Sequence, residues 1–150
     1  MLNTMRCSLI IIAACASTVS AQPQSIRLPI SEGVWVKTDT KCETAYIAHV
    51  YAGKVFGTVY FYGPKQTMGP SNETEPLSRV VKVGGGFTMV NEGPLEVAAR
   101  PNGQAIVRAN SPSQGVQWSE IVRLCPAAAL SLKFRTALSN LGLITAAKRK

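Results

Sequence analysis

The chain alternates short apolar runs with turn residues, at a spacing of roughly ten residues. Gly33-Val34-Trp35-Val36-Lys37 is brief, β-branched and aromatic, so it predicts a first strand. Ala45–Tyr51 and Val55–Tyr62 are apolar and aromatic, and Ala52-Gly53-Lys54 between them has the length and the glycine of a hairpin turn. The pattern lapses over Gly63–Pro76, where three prolines, two glycines and a polar Ser71-Asn72-Glu73-Thr74 stretch predict the longest loop. Strands resume at Leu77–Val83, Phe87–Val90, Leu95–Arg100 and Gln104–Ala109, divided by Gly84-Gly85-Gly86, Asn91-Glu92-Gly93-Pro94 and Pro101-Asn102-Gly103. Asn102-Gly103 is a strong hairpin signal, because a type I′ turn needs positive φ at both central residues. In Val116–Cys125 the residues Val116, Trp118, Val122 and Leu124 share one face, with Glu120 intruding on it and Ile121 on the polar one, so a bulge or an edge position is expected.

Seven to eight short strands at this pace predict an all-β fold, a small antiparallel barrel or sandwich. After Cys125 the period changes. Leu130, Phe134, Ala137, Leu138 and Leu141 fall at helical spacing, Pro126 suits a first turn and Gly142 a C-cap, so a C-terminal amphipathic helix follows. It either packs on the barrel wall or open end, or lies on a membrane surface.

Residues 1–21 have the build of a secretory signal: one positive charge at Arg6, an apolar run Cys7–Ala16, and a small-residue exit at Ser17–Ala21. A competing lipobox, Ile12-Ala13-Ala14-Cys15, would leave Cys15 acylated and the protein lipid-anchored in the envelope. The longer apolar run favours the cut after Ala21, hence an exported periplasmic or secreted protein beginning at Gln22. The expected organisation is signal 1–21, linker 22–32, β-domain 33–125, and helix with basic tail 126–150.

Cysteine usage agrees with export. Cys7 leaves with the signal, and Cys42 and Cys125 remain to pair in an oxidising compartment. Such a bridge joins the start of the sheet to its last strand, which favours a closed or nearly closed barrel. A zinc site is a poor alternative, since it needs about four ligands and the chain offers these two cysteines and one histidine.

Charge changes the picture at one end only. Residues 126–150 hold Lys133, Arg135, Lys148, Arg149 and Lys150 with no acid, on a nearly neutral body. Lys148, Arg149 and Lys150 are therefore candidates for a weak contact with an anionic surface, or a solvated tail.

Catalytic patterns are thin. His49 is the lone histidine and reads as a satisfied structural or solvent-facing residue. Asp39 is the only aspartate, and no Gly-x-Ser-x-Gly nucleophile motif exists. Glu73 with Glu75 and Glu92 with Glu96 are not spaced as facing glycosidase carboxylates, while Glu120 is expected to pair with Arg108 or Arg100. Gly84-Gly85-Gly86 lacks the Lys and helix of a phosphate loop. Aromatics are not interleaved with bases, so no nucleic-acid partner is expected. No cofactor is implied.

Gly33-Val34-Trp35 resembles the Gly-x-Trp that opens lipocalin-like barrels and small periplasmic metalloprotease inhibitors, where the tryptophan closes the barrel bottom. The early and late cysteines of an exported barrel are similar to those of membrane-bound lysozyme inhibitors, although this chain is basic, as their targets are. Neither resemblance carries a functional residue across. The function expected is a non-enzymatic exported module that binds a small ligand or an envelope or protein partner. Its candidate surface is Trp35, Tyr46, Tyr51, Tyr60 and Tyr62, for which core packing is the plain alternative. The second reading is a periplasmic protease or lysozyme inhibitor presenting Gly63–Pro76 or Asn91–Pro94.

The cut is tested by intact mass of the mature protein. A start at Gln22 is expected, and an acylated Cys15 would overturn the soluble product.

Overall fold

The computed structural model describes residues 26–145. The expected signal over residues 1–21, with Cys15, and the tail residues Lys148, Arg149 and Lys150 lie outside the described residues. Nine antiparallel strands form one sheet: β1 Gly33–Lys37, β2 Ile47–Ala52, β3 Val55–Tyr62, β4 Met68–Pro76, β5 Val80–Lys82, β6 Thr88–Val90, β7 Leu95–Ala99, β8 Gln104–Ser111 and β9 Val116–Cys125. One helix follows, α1 Leu132–Asn140. The strand order is β4-β3-β2-β1-β9-β8-β7-β6-β5. Two meanders, β1–β4 and β5–β9, are therefore joined through their first and last strands in the middle of the sheet.

This order explains the shape. Laid flat, nine strands at ~4.8 Å spacing would put the edges β4 and β5 about 38 Å apart. Only Leu77, Ser78 and Arg79 connect them, and the steps from Pro76 to Val80 span at most ~14 Å. The sheet must curl. The result is a curled half-barrel in which β4 and β5 share no ladder, and it replaces the closed or nearly closed barrel favoured from the sequence.

The ninth strand is β4, where a loop was expected. It pairs with β3 from Val55↔Pro76 to Tyr60↔Ser71, then shifts register before Tyr62↔Met68. Its residues are almost all exposed, so no hydrophobic alternation marks it. An edge strand tolerates Pro70 and Pro76, because one side of it needs no ladder donors. Gly57 on β3 lets β4 approach: a Cβ there would lie 2.1 Å from the Glu73 carbonyl oxygen. β9, by contrast, is neither bulged nor at an edge. It pairs without interruption with β8 and also with β1.

The Asn102-Gly103 turn has positive φ at both residues (62° and 68°), as a type I′ signal requires. The helix begins later than Pro126. Ser131 is its N-cap, with Oγ accepting from the Phe134 N–H, and Gly142 follows its end at φ 70°.

Two apolar clusters occupy the two faces. On the convex face Phe134, Ala137 and Leu138 of α1 pack with Leu130 against Val34, Val36, Ala48, Val50, Val59 and Phe61, so the helix lies on the wall of the sheet. The concave face gathers Trp35, Tyr51, Phe56, Val97, Ala105, Val107 and Val122 from strands far apart in the order. Leu28, from the lead-in segment, covers this cluster with Leu77.

Cys42 and Cys125 form the disulfide, with Cα atoms 5.8 Å apart. It lies beside the β1–β9 ladder, whose register sets Val34 opposite Cys125. Arg123 braces the same corner, donating to the Thr40 carbonyl at 2.9 Å. In the chain-entropy view, closing a loop of this length contributes roughly 4–5 kcal/mol at most. The double variant Cys42→Ala/Cys125→Ala is expected to lose about 3–4 kcal/mol in urea unfolding. A loss below about 1 kcal/mol, or free thiols in wild-type protein purified from its own host, would mean the bridge does not clamp the joint.

Candidate functional site

Beyond the apolar cluster, the concave face opens into a groove of about 400 Å³ lined by Lys37, Ile47, His49, Thr58, Tyr60, Glu73, Trp118, Ser119 and Glu120. Strand alternation builds it. His49 is opposite Thr58 and Ile47 opposite Tyr60 across the β2–β3 ladder, and Thr58 is opposite Glu73 across β3–β4. From the other side of β1, β9 supplies Trp118 and Glu120, two residues apart and so on the same face.

His49 is the centre of the groove floor. Its Nε2 lies 2.5 Å from Glu120 Oε1 and its Nδ1 lies 3.0 Å from Thr58 Oγ1. In the neutral ring Nε2–H donates to the carboxylate and Nδ1 accepts from the Thr58 hydroxyl, so both nitrogens are satisfied. The contact crosses β1, and the curl brings side chains from β2 and β9 within reach. Phe56, His49 and Trp118 form a near-parallel series, with His49 centroids 6.4 Å from Phe56 and 6.1 Å from Trp118. His49 is 3% exposed and Trp118 40%, so the series runs from the core into the open groove.

Hydrogen bonding from His49, helped by the Lys37 ammonium, holds the Glu120 carboxyl below its ordinary value of 4.5, against an opposing effect of burial. Glu120 therefore pairs with His49 and not with an arginine. Arg108, one of the two partners expected, is engaged by Glu96 at 2.5 Å and rests over the Phe87 ring. That pair lies on the opposite face: Glu96 and Arg108 are cross-strand neighbours, whereas Glu120 stands opposite Val107.

Tyr60 donates its hydroxyl to Glu73 Oε1 at 2.7 Å. Lys37, at the rim, is bound to Asp39 at 3.3 Å. Glu73 also lines a second cavity of about 360 Å³ between β4 and the β6–β7 turn, with Glu75, Phe56 and Asn91.

The aromatic candidates divide. Trp35 and Tyr51 are buried in the concave cluster: Trp35 Nε1 donates to the Ser31 carbonyl, and Tyr51 Oη accepts from the Leu28 N–H. Trp35 is thus core rather than part of a mouth. Tyr46 faces a smaller cavity of about 170 Å³ beside the start of α1. Tyr62 is exposed beside Tyr60, and Tyr60 alone of the five lines the groove. Sequence reasoning did not select Lys37, Ile47, Thr58, Glu73, Trp118, Ser119 or Glu120 for a site. Two signals pointed there: a lone histidine within an apolar strand, and an acid on the same face as Trp118.

Thr58, His49 and Glu120 contain the groups of a hydroxyl–imidazole–carboxylate relay. Acyl transfer also needs donors aimed at a developing oxyanion. The amides of β2 and β3 are spent in ladders on both sides. The backbone amides of β2 and β3 are therefore not available as such donors, and the three side chains order the groove floor. Among the described residues no group of three or more His, Cys, Asp or Glu is placed to hold a metal, and no helix is long and apolar enough to cross a membrane. No family model, curated protein or solved structure matches the chain.

The lowered Glu120 value makes stability depend on pH with a definite sign. A carboxyl whose folded pKa is depressed contributes fully above 4.5, and its contribution is lost as pH falls from there through the folded value. Urea midpoints of wild type and Glu120→Gln should converge between pH 6 and pH 3. A gap constant across that range would remove Glu120 as the linked group.

Proposed function

We propose that the protein is an exported, non-enzymatic binding module that holds a small ligand in the concave groove. The observation that carries this reading is a volume of about 400 Å³ whose central His49 is partnered at both ring nitrogens while the indole of Trp118, the ring of Tyr60 and Ile47 stand around it. That combination of apolar walls and a few fixed polar groups is the usual character of a small-molecule site, and the size falls in the usual range. The disulfide is compatible with an oxidising compartment. An envelope partner touching the basic tail Lys148, Arg149 and Lys150 fits the same reading.

A periplasmic hydrolase inhibitor draws less support. Residues 68–76 of the segment expected to present itself are ladder-paired strand. The Asn91 turn is tied back, its side chain accepting from the Ser78 N–H and donating to the Pro76 carbonyl.

Trp118 reports on the groove directly, because Trp35, the other tryptophan, is buried. Native mass spectrometry of protein from its own host is expected to show a non-covalent small-molecule adduct. Trp118→Ala should weaken its binding about tenfold, since stacking on one aromatic face contributes ~1–2 kcal/mol. An empty wild-type protein whose Trp118 emission no host extract alters would end this reading.

A further inference from the structure

We infer that the ligand of the concave groove is an organic cation, an ammonium or guanidinium group carried on an apolar body. This rests on the groove being the ligand site and adds the chemical class of its occupant.

The inference comes from which hydrogen-bonding capacity remains unspent. Both His49 nitrogens are occupied, by Thr58 and by Glu120. The Tyr60 hydroxyl is donated to Glu73, and the Lys37 ammonium is held by Asp39. Lys37 keeps N–H groups beyond its contact with Asp39 and the Trp118 indole N–H makes no hydrogen bond among the described residues, while the acceptors left are the second oxygen of Glu120 and the second oxygen of Glu73. An ionised carboxylate accepts and cannot donate. A ligand that meets these oxygens must therefore bring N–H or O–H groups, and an anion would be repelled by both.

Charge narrows the class further. Bases outnumber acids in the chain, sixteen to eight, yet among the described residues Glu73 and Glu75 form no salt bridge. Glu73 is exposed and holds one hydrogen bond, from Tyr60, so a ligand that covers it without offering a donor or a positive charge would strip hydration from its second oxygen. A cationic ligand supplies the missing partner.

The aromatic lining independently favours the same class. Trp118 is 40% exposed at the groove, and Tyr60 forms another wall. The face of an indole attracts an ammonium or guanidinium, and its area suits an attached apolar body. The second cavity shares Glu73 and adds Glu75 and Phe56, so the acidic and aromatic lining continues toward the β4 edge.

The test uses three probes with one ring and different heads: phenethylamine, phenethyl alcohol and phenylacetate. Titration of mature full-length protein is followed by calorimetry and by Trp118 emission. The amine is expected to bind at least tenfold more tightly than the alcohol, more weakly as salt rises, and the acid not measurably. Glu73→Gln, which keeps an oxygen for the Tyr60 hydroxyl, should remove most of the amine's advantage over the alcohol. Glu120→Gln provides a second variant with the same expectation, and thermal unfolding confirms that each folds. Equal binding of amine and alcohol, or preference for the acid, overturns the cation while leaving the groove as the site. If none of the three binds, the cation class is also overturned. The groove itself falls only if, in addition, no host-derived adduct sensitive to Trp118→Ala is found.

Discussion

The pairing of β1 with β9 is the contact on which the rest of the structure depends. Every other ladder joins strands that are neighbours in the chain, as hairpin and meander geometry allows. The β1–β9 ladder alone unites the two meanders, aligning Val34 with Cys125 across most of the chain. Such a long-range pairing carries a large loop-closure entropy, which the adjacent Cys42–Cys125 bridge removes from the unfolded state. Once the first and last strands are central, the edges of the sheet become chain neighbours, and a three-residue connection compels the curl.

The curl in turn makes the site. On a flat sheet, residues on β2 and β9 would stand two strand spacings apart, roughly 10 Å at the backbone. On the concave face they converge enough for His49 and Glu120 to meet over β1 at 2.5 Å. The same convergence gathers the buried cluster around Trp35, Tyr51 and Val122 and leaves the groove where that cluster ends. Gly57 contributes from a distance, since only a residue without a Cβ lets the β4 backbone, and with it Glu73, come so close.

Much of this was legible in local pattern. The hairpin around Gly53, the positive-φ Asn102-Gly103 turn, the pairing of the two cysteines and the helical spacing ending at Gly142 each follow from chemistry within a few residues or from simple inventory. β4 was hidden because an edge strand exposed on nearly all its residues has no apolar period to display, and its prolines imitate a loop. The five aromatic candidates were chosen by residue type, and type does not say which face of a curved sheet a ring occupies. Trp35 and Tyr51 went into the core, and Tyr46 went to the cavity beside the helix.

The amino-acid order by itself determined the β class, most of the strands, the helix, the disulfide and the presence of two polar misfits, His49 and Glu120, in apolar settings. These depend on periodicity, turn stereochemistry and cysteine count, all of which act over short stretches or need no geometry. Only the tertiary structure decided that the two misfits are partners, that Glu73 and Trp118 stand beside them, and that the sheet stays open rather than closing. Those outcomes depend on strand order and curvature, which arise from a single pairing between residues about ninety positions apart. No local signal encodes that distance.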